Sequence, residues 1–145
     1  MLADVNVLVA AFRKDHPQHR AAAQWLRETV TASRDGQVLR LPLGVVSSFL
    51  RLVTNGKIFT APSPIEKAID FADWLLEDPN VSLADSAKEW PHLRQLALDK
   101  HLAGNQIPDA HLAALSIALG EPFVTFDKGF RKLLPPSLLV LLAAV

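Results

Sequence analysis

The sequence predicts an α/β fold, with helices packed around a mainly parallel sheet. Two observations carry this reading. Short apolar runs alternate with helical patterns along all 145 residues, as expected of strand–helix units stacked into one sheet. Three aspartates, Asp4, Asp109 and Asp127, stand at apolar edges, two of them just where a short run ends. Open α/β sheets bind their ligands outside the carboxyl ends of the strands.

The elements follow in order. Met1–Asp4 reads as a short buried strand that breaks into a helix near Asn6, a suitable cap for Val7–Arg13. Pro17–Ser33 is helical, with Ala21, Ala22, Trp25, Leu26 and Val30 at helical spacing, and Asp35-Gly36 breaks it. Val38–Leu41 is a second strand. Pro42 then opens a helix with Val45, Val46, Phe49, Leu50 and Val53 inward, stopped by Asn55-Gly56. Ser63-Pro64-Ile65-Glu66 has the form of a capping box. It launches a helix carrying Ala68, Ile69, Ala72, Trp74 and Leu75 that ends near Asp78-Pro79.

Val81–Ala84 is a third strand and Glu89–His101 a helix. Gly104-Asn105 punctuates the chain before an alanine-rich helix, Pro108–Leu119, which Gly120 stops. Phe123–Thr125 is a fourth strand, Asp127–Phe130 a turn or short helix, and Leu138–Leu142 a final strand after Pro135-Pro136. Trp25, Trp74 and Trp90 read as core or interface fillers. No repeat or linker divides residues 1–145, so a single domain is expected.

Composition excludes several classes. There is no cysteine, which removes disulfides, thiolate zinc sites and cysteine nucleophiles together. No apolar run approaches the roughly 20 residues of a membrane span, and the N-terminus lacks the basic stretch followed by an apolar block that a secretory signal would show. A cytoplasmic protein without a membrane partner is expected. Lys+Arg and Asp+Glu are 15 each, so the formal net charge is zero. Avid, sequence-independent nucleic-acid binding draws on a basic surface and is disfavoured. A small basic rim around an acidic pocket is still compatible with that balance. No nucleophile-elbow serine and no glycine-rich phosphate loop is present.

Unpaired carboxylates at apolar edges are costly. Brought together, they call for protons, a cationic partner or a metal. A hard, oxygen-seeking ion such as Mg²⁺ suits them, and that points to metal-assisted chemistry on phosphates. Each aspartate also has a plain structural reading: a turn cap for Asp4, a favourable charge at a helix start for Asp109, a turn opener before Gly129 for Asp127.

The residues Asp4-Val5-Asn6-Val7-Leu8, Phe49-Leu50-Arg51-Leu52-Val53-Thr54-Asn55, Gly104-Asn105, Pro108-Asp109-Ala110-His111-Leu112-Ala113-Ala114 and Thr125-Phe126-Asp127-Lys128-Gly129-Phe130 together resemble the PIN-domain family. Within it they resemble the VapC-type ribonuclease toxins of type II toxin–antitoxin systems. Order and spacing match along nearly the whole chain.

The resemblance implies a three-layer α/β/α domain that hydrolyses phosphodiesters in RNA with Mg²⁺ or Mn²⁺. It makes Asp4, Asp109 and Asp127 the catalytic, metal-holding carboxylates. It also implies a cognate antitoxin, whose C-terminal segment would cover the acidic groove with a basic side chain, and a homodimer. The chain departs from the pattern at Ser48, where the family usually has a glutamate three residues before Arg51. A serine oxygen is neutral, so a second metal site there would be weaker.

Other residues keep two readings. Asn6 and Thr125 orient the carboxylates by hydrogen bonds, or are a helix cap and a plain β-branched strand residue. Asn105 meets a water, a base or its own backbone. Arg51 and Lys128 contact phosphate, or are solvated charges. Lys14, His16, His19 and Arg20 form a basic cluster that reads as a solvated helix start or an RNA-facing rim. His111, two positions beyond Asp109, is expected to face away from it and to be neither ligand nor base.

Two other classes compete with the nuclease: a catalytically weak module that binds RNA or protein, and another Mg-dependent phosphate hydrolase. A dehalogenase-like phosphatase would want an aspartate where Asn6 stands. A receiver domain would want paired acids that the chain lacks.

Overall fold

A computed structural model describes residues 1–31, 38–84 and 88–143. Its centre is a five-stranded sheet in which every adjacent pair runs parallel. The strands are β1 (Leu2–Ala3), β2 (Leu39–Pro42), β3 (Val81–Ala84), β4 (Phe123–Thr125) and β5 (Leu139–Leu141), in the order β3-β2-β1-β4-β5. The helices are α1 (Val5–Phe12), α2 (His19–Thr31), α3 (Leu43–Val53), α4 (Ile65–Glu77), α5 (Trp90–Asp99) and α6 (Gln106–Leu119). Short 3₁₀ turns occupy Lys128–Lys132 and Pro136–Leu138.

The strand order sets where a site can form. The chain winds outward from β1 to β2 to β3, then returns to place β4 on the other side of β1. The winding direction reverses between β1 and β4, and a crevice opens at such a switch point beyond the strand ends. Asp4 follows β1 there, and Phe126-Asp127 follow β4.

Strand alternation divides the core into two faces. Leu2 pairs with Phe123 and Ala3 with Val124. Leu2 and Phe123 pack with Ala113 and Leu115 of α6 and with Phe130 and Leu134. Ala3 joins Leu8, Val45, Phe49 and Leu75 of the helices across the sheet, and Val124 joins Val7, Ala10 and Ala22. Helices therefore cover both faces, the three-layer arrangement expected, with α1–α4 on one side and α5 and α6 on the other.

Several boundaries differ from expectation. Asp4, not Asn6, caps α1, its carboxylate accepting the Val5 N–H at 2.7 Å. Asn6 lies within the first turn. The capping box at Ser63–Glu66 does not form: Pro64 is the cap of α4 and no side chain bonds there. Ser63 Oγ instead accepts from the guanidinium of Arg13 at 3.0 Å. Helix α6 starts at Gln106, two residues before Pro108. Proline is tolerated there because N–H groups of a first turn have no intrahelical acceptor. Trp74 and Trp90 are 55% and 63% exposed, and neither fills the core. Trp74 stands one residue off the buried stripe of Ala68 and Leu75, a rotation of about 100° on a helix. The expected break at Asp35-Gly36 lies outside the described residues.

Arg13 is the one arginine among the described residues that is buried, at 9% exposure. Its guanidinium bonds Asp15 in a fork, donates to the Ala61 carbonyl at 2.7 Å, and lies 4.2 Å from the Phe59 ring centroid. It thereby ties the end of α1 to the segment leading into α4. Asp15 is largely exposed, so its share is small; the buried donors carry the link. Arg13→Lys keeps the charge and loses the fork. We expect it to lower the unfolding free energy by about 1–2 kcal/mol, read from the urea midpoint. An unchanged midpoint would show that residues 59–63 hold themselves in place.

Candidate active site

At the carboxyl end of the sheet, Asp4 leaves β1 and is 6% exposed. Its two oxygens have separate partners. One accepts the Val5 N–H, and Oδ2 accepts the Thr125 hydroxyl at 2.6 Å. Thr125 is fully buried at the end of β4. Its oxygen also accepts Asn6 Nδ2 at 3.1 Å and the Asp127 N–H at 3.0 Å. A hydroxyl has one proton and two lone pairs. With both lone pairs used, the proton is committed to Asp4. Asn6 Oδ1 faces the Phe126 N–H at 3.4 Å. The two strand ends at the switch point are thus joined by side chains.

Asp109 sits in the first turn of α6, partly buried. It borders, with Asp4 and Ser48, a cavity of about 300 Å³. Gly44 and Pro42 line the wall beneath α3. The positive ends of α1 and α6 thus face this cavity, which favours anionic groups there.

The electrostatics fit that picture. Burial pushes the Asp4 carboxyl above its ordinary range; its two hydrogen bonds oppose the shift, and the charges of Asp109 and Asp127 add to it. Burial likewise raises Asp109, with Asp127 adding to it. Among the described residues no lysine or arginine forms an ion pair with any of the three. The cluster therefore holds negative charge at a cost.

Asp127 is placed differently. It is exposed and does not line the cavity. Its Oδ1 caps the 3₁₀ turn, accepting the Gly129 N–H at 2.7 Å. Among the described residues no three acidic or histidine side chains converge into a ready-made metal-ligand group. What exists is a pair of carboxylates on one cavity and a third close enough to perturb both. That set suits Mg²⁺, which keeps several waters and takes one or two carboxylates directly. It does not suit a closed tetrahedral site.

The remaining residues separate into near and far. Ser48 lies on the cavity wall. Arg51 is exposed in the last turn of α3, and Lys128 is exposed at the start of the 3₁₀ turn. Asn105 precedes α6 and makes no capping bond. His16 and His19 are engaged with backbone, His16 Nδ1 with the Gln18 N–H and His19 Nδ1 with the Ala10 carbonyl. Lys14 and Arg20 are exposed around that helix start.

His111 corrects the expectation that it faces away: it lines the same cavity as Asp109. The face of α6 turned to the cavity runs through Pro108, Leu112 and Leu115, and positions 109 and 111 flank that stripe on either side. His111 stands at the mouth, its side chain 54% exposed, with Nε2 3.5 Å from Glu89.

Comparison with known proteins follows the geometry. The PIN domain family matches residues 1–133. A VapC ribonuclease of Mycobacterium bovis is 38% identical over 130 residues, 89% of this chain and 86% of that protein. Ribonuclease VapC31 of Mycobacterium tuberculosis is 36% identical over 132 residues, 90% of this chain and 91% of that one. A crystal structure of VapBC2 from Rickettsia felis, bound to a DNA fragment from its promoter, superposes with a TM-score of 0.68 at 19% identity, covering 98% of both chains.

Proposed function

The chain belongs to the PIN-domain family, alongside the VapC ribonucleases, and from that membership we propose that it is a metal-dependent endoribonuclease, the toxin of a toxin–antitoxin pair. One observation carries the reading. The buried Asp4 carboxylate at the switch point is fixed by Thr125 and the start of α1, shares a cavity with Asp109, and has no cationic partner among the described residues.

In this reading Asp4 and Asp109 would hold Mg²⁺ or Mn²⁺, with Asp127 adding negative charge from beside the cavity. The bound ion supplies neutralisation of phosphate charge and a water of lowered pKa. The chain's own residues do the rest. Thr125 and the Val5 N–H keep Asp4 an acceptor on both oxygens, so the carboxylate points one way. Asn6 and the Asp127 N–H hold the Thr125 hydroxyl in turn, which links Asp127 to the same frame. Ser48 offers a neutral oxygen on the wall. In the same reading the exposed Arg51 and Lys128 would meet phosphate, and Asn105 would meet the strand beside α6.

The partners in this proposal are RNA, a cognate antitoxin, as paired in the Rickettsia felis VapBC2 structure, and a second copy of the chain. Among the described residues no helix is long and apolar enough to cross a membrane.

The test is direct. Purified protein should cleave RNA with Mg²⁺ or Mn²⁺ and stop on addition of chelator. The same cations should raise Tm, because a ligand that binds only the native state stabilises it. Hydrolysis of a phosphomonoester but not RNA would replace the nuclease by another phosphate hydrolase. Ser48 in the usual glutamate position favours one alternative, a catalytically weak binding module. Intact RNA under every metal condition, with RNA or peptide still bound, would establish it.

A further inference from the structure

A second and larger cavity, about 620 Å³, lies between the end of α5, the start of α6 and the 3₁₀ turn after Asp127. Three cations border it: Lys100, Arg131 and Lys132. We propose that this cavity binds a nucleotide next to the scissile one in a single-stranded RNA, with the three cations on its phosphates. The proposal rests on the nuclease reading and extends it from the reacting phosphate to the strand that carries it.

Four observations support it. Asp109 borders both this cavity and the one it shares with Asp4, so a strand crossing Asp109 passes from one to the other. None of the three cations forms an ion pair among the described residues, so they are available to an anion. The 3₁₀ turn is anchored: Phe130 is 1% exposed and packs on Phe123 at 4.7 Å between ring centroids. Arg131 and Lys132 therefore project from a fixed base.

The fourth observation is chemical. Leu102 and Leu133 give the cavity an apolar wall, and Gln106 adds an amide at its edge. A nucleotide presents those complements: phosphate for the cations, a base face for the apolar wall. The charge balance agrees. A chain of zero net charge cannot hold a polyanion by its average field, so it must gather cations locally, and three meet here beside an acidic site. An acidic peptide would also find cations here, but it has no regular pairing of a phosphate with a flat apolar base to match the three cations and the Leu102–Leu133 wall. A phosphodiester strand brings its charge to a site already proposed to hold a cation.

The experiment separates binding from cleavage. Affinity for a short oligouridylate is measured in chelator, where no cutting occurs, across a salt series. The variant Lys100→Gln/Arg131→Gln/Lys132→Gln is compared with wild type and with Lys67→Gln, whose exposed charge lies on α4 across the sheet. Circular dichroism checks that each variant is folded, and each single substitution is measured if the triple one is not.

The expected result is an affinity about tenfold or more weaker for the triple variant, with its salt slope shallower by roughly 2, since each lost phosphate contact on a single strand removes about 0.7. Lys67→Gln should match wild type. With metal restored, KM should rise while kcat at saturation is kept. A wild type that cleaves RNA, with a triple variant of equal affinity and slope, overturns this inference and leaves the nuclease standing. Loss of acidic-peptide binding with RNA affinity unchanged also overturns it. A wild type that neither binds nor cleaves RNA overturns both readings.

Discussion

Asp109→Asn is expected to abolish RNA cleavage, by about 100-fold or more in kcat, without lowering Tm. Both halves come from the same geometry. The Asp109 carboxylate borders the cavity beside Asp4 and makes no side-chain hydrogen bond among the described residues. An amide there keeps the shape and loses the charge that would hold a cation. The fold loses no hydrogen bond, and the helix-start attraction given up is offset by relief of the burial cost and of the repulsion from Asp127.

The charge itself is a cost to the metal-free fold. Burial and the neighbouring Asp127 raise the Asp109 pKa, so the native state binds a proton more tightly than the unfolded chain. Stability from this group is then greatest at low pH and falls as pH rises from the ordinary carboxylate range through the raised native value. In chelator, the stability of wild type relative to Asp109→Asn should fall across that window, so that Asp109→Asn melts no lower than wild type at neutral pH. Asp4→Ala serves as the contrast. It should also stop cleavage, but it removes the cap of α1 and the acceptor of the Thr125 proton, so Tm should fall. Full activity in Asp109→Asn would remove this carboxylate from the reaction.

The contrast shows what the sequence makes legible. Val81–Ala84 and Phe123–Thr125 are read to the residue, since each is a short apolar run between strong punctuators, Asp78-Pro79-Asn80 and Gly120 among them. The meeting of Asp4 with Asp109 is foreseeable from a strand end and a helix start. The way Asp4 is held is not, because the decisive bond joins residues 121 positions apart.

Long-range capture also explains the missing capping box. Ser63 has the right neighbours, but its oxygen is bonded by an arginine 50 residues away. The cationic cavity is half visible. Arg131 and Lys132 are adjacent in sequence, while Lys100 arrives only when the end of α5 packs beside α6. Trp74 and Ile69 fail as core residues because helical spacing alone does not choose between adjacent stripes. The buried one here runs through Ala68 and Leu75.

Thr125→Val is the substitution expected to cost most for least change in shape. Valine fills the same volume and removes one hydroxyl. Three groups then lose their partner together: Asp4 Oδ2, Asn6 Nδ2 and the Asp127 N–H. An unsatisfied buried polar group costs about 1–3 kcal/mol. The Asn6 amide and the Asp127 N–H are only partly buried and can recover water, so the total is about 2–4 kcal/mol. For a chain of this length that is a Tm lower by roughly 6–12 °C.

Activity should fall as well, because freeing Oδ2 lets the Asp4 carboxylate rotate away from the cavity it shares with Asp109. A merely structural role for Thr125 would lower Tm and leave kcat unchanged at a temperature where the variant is folded. A positioning role lowers both. Thr125→Ser keeps the hydroxyl and loses only a methyl, so it should restore most of the activity at a small cost in Tm. Serine and valine variants that behave alike would mean that the methyl group, and not the hydrogen bond, is what β4 requires at this position.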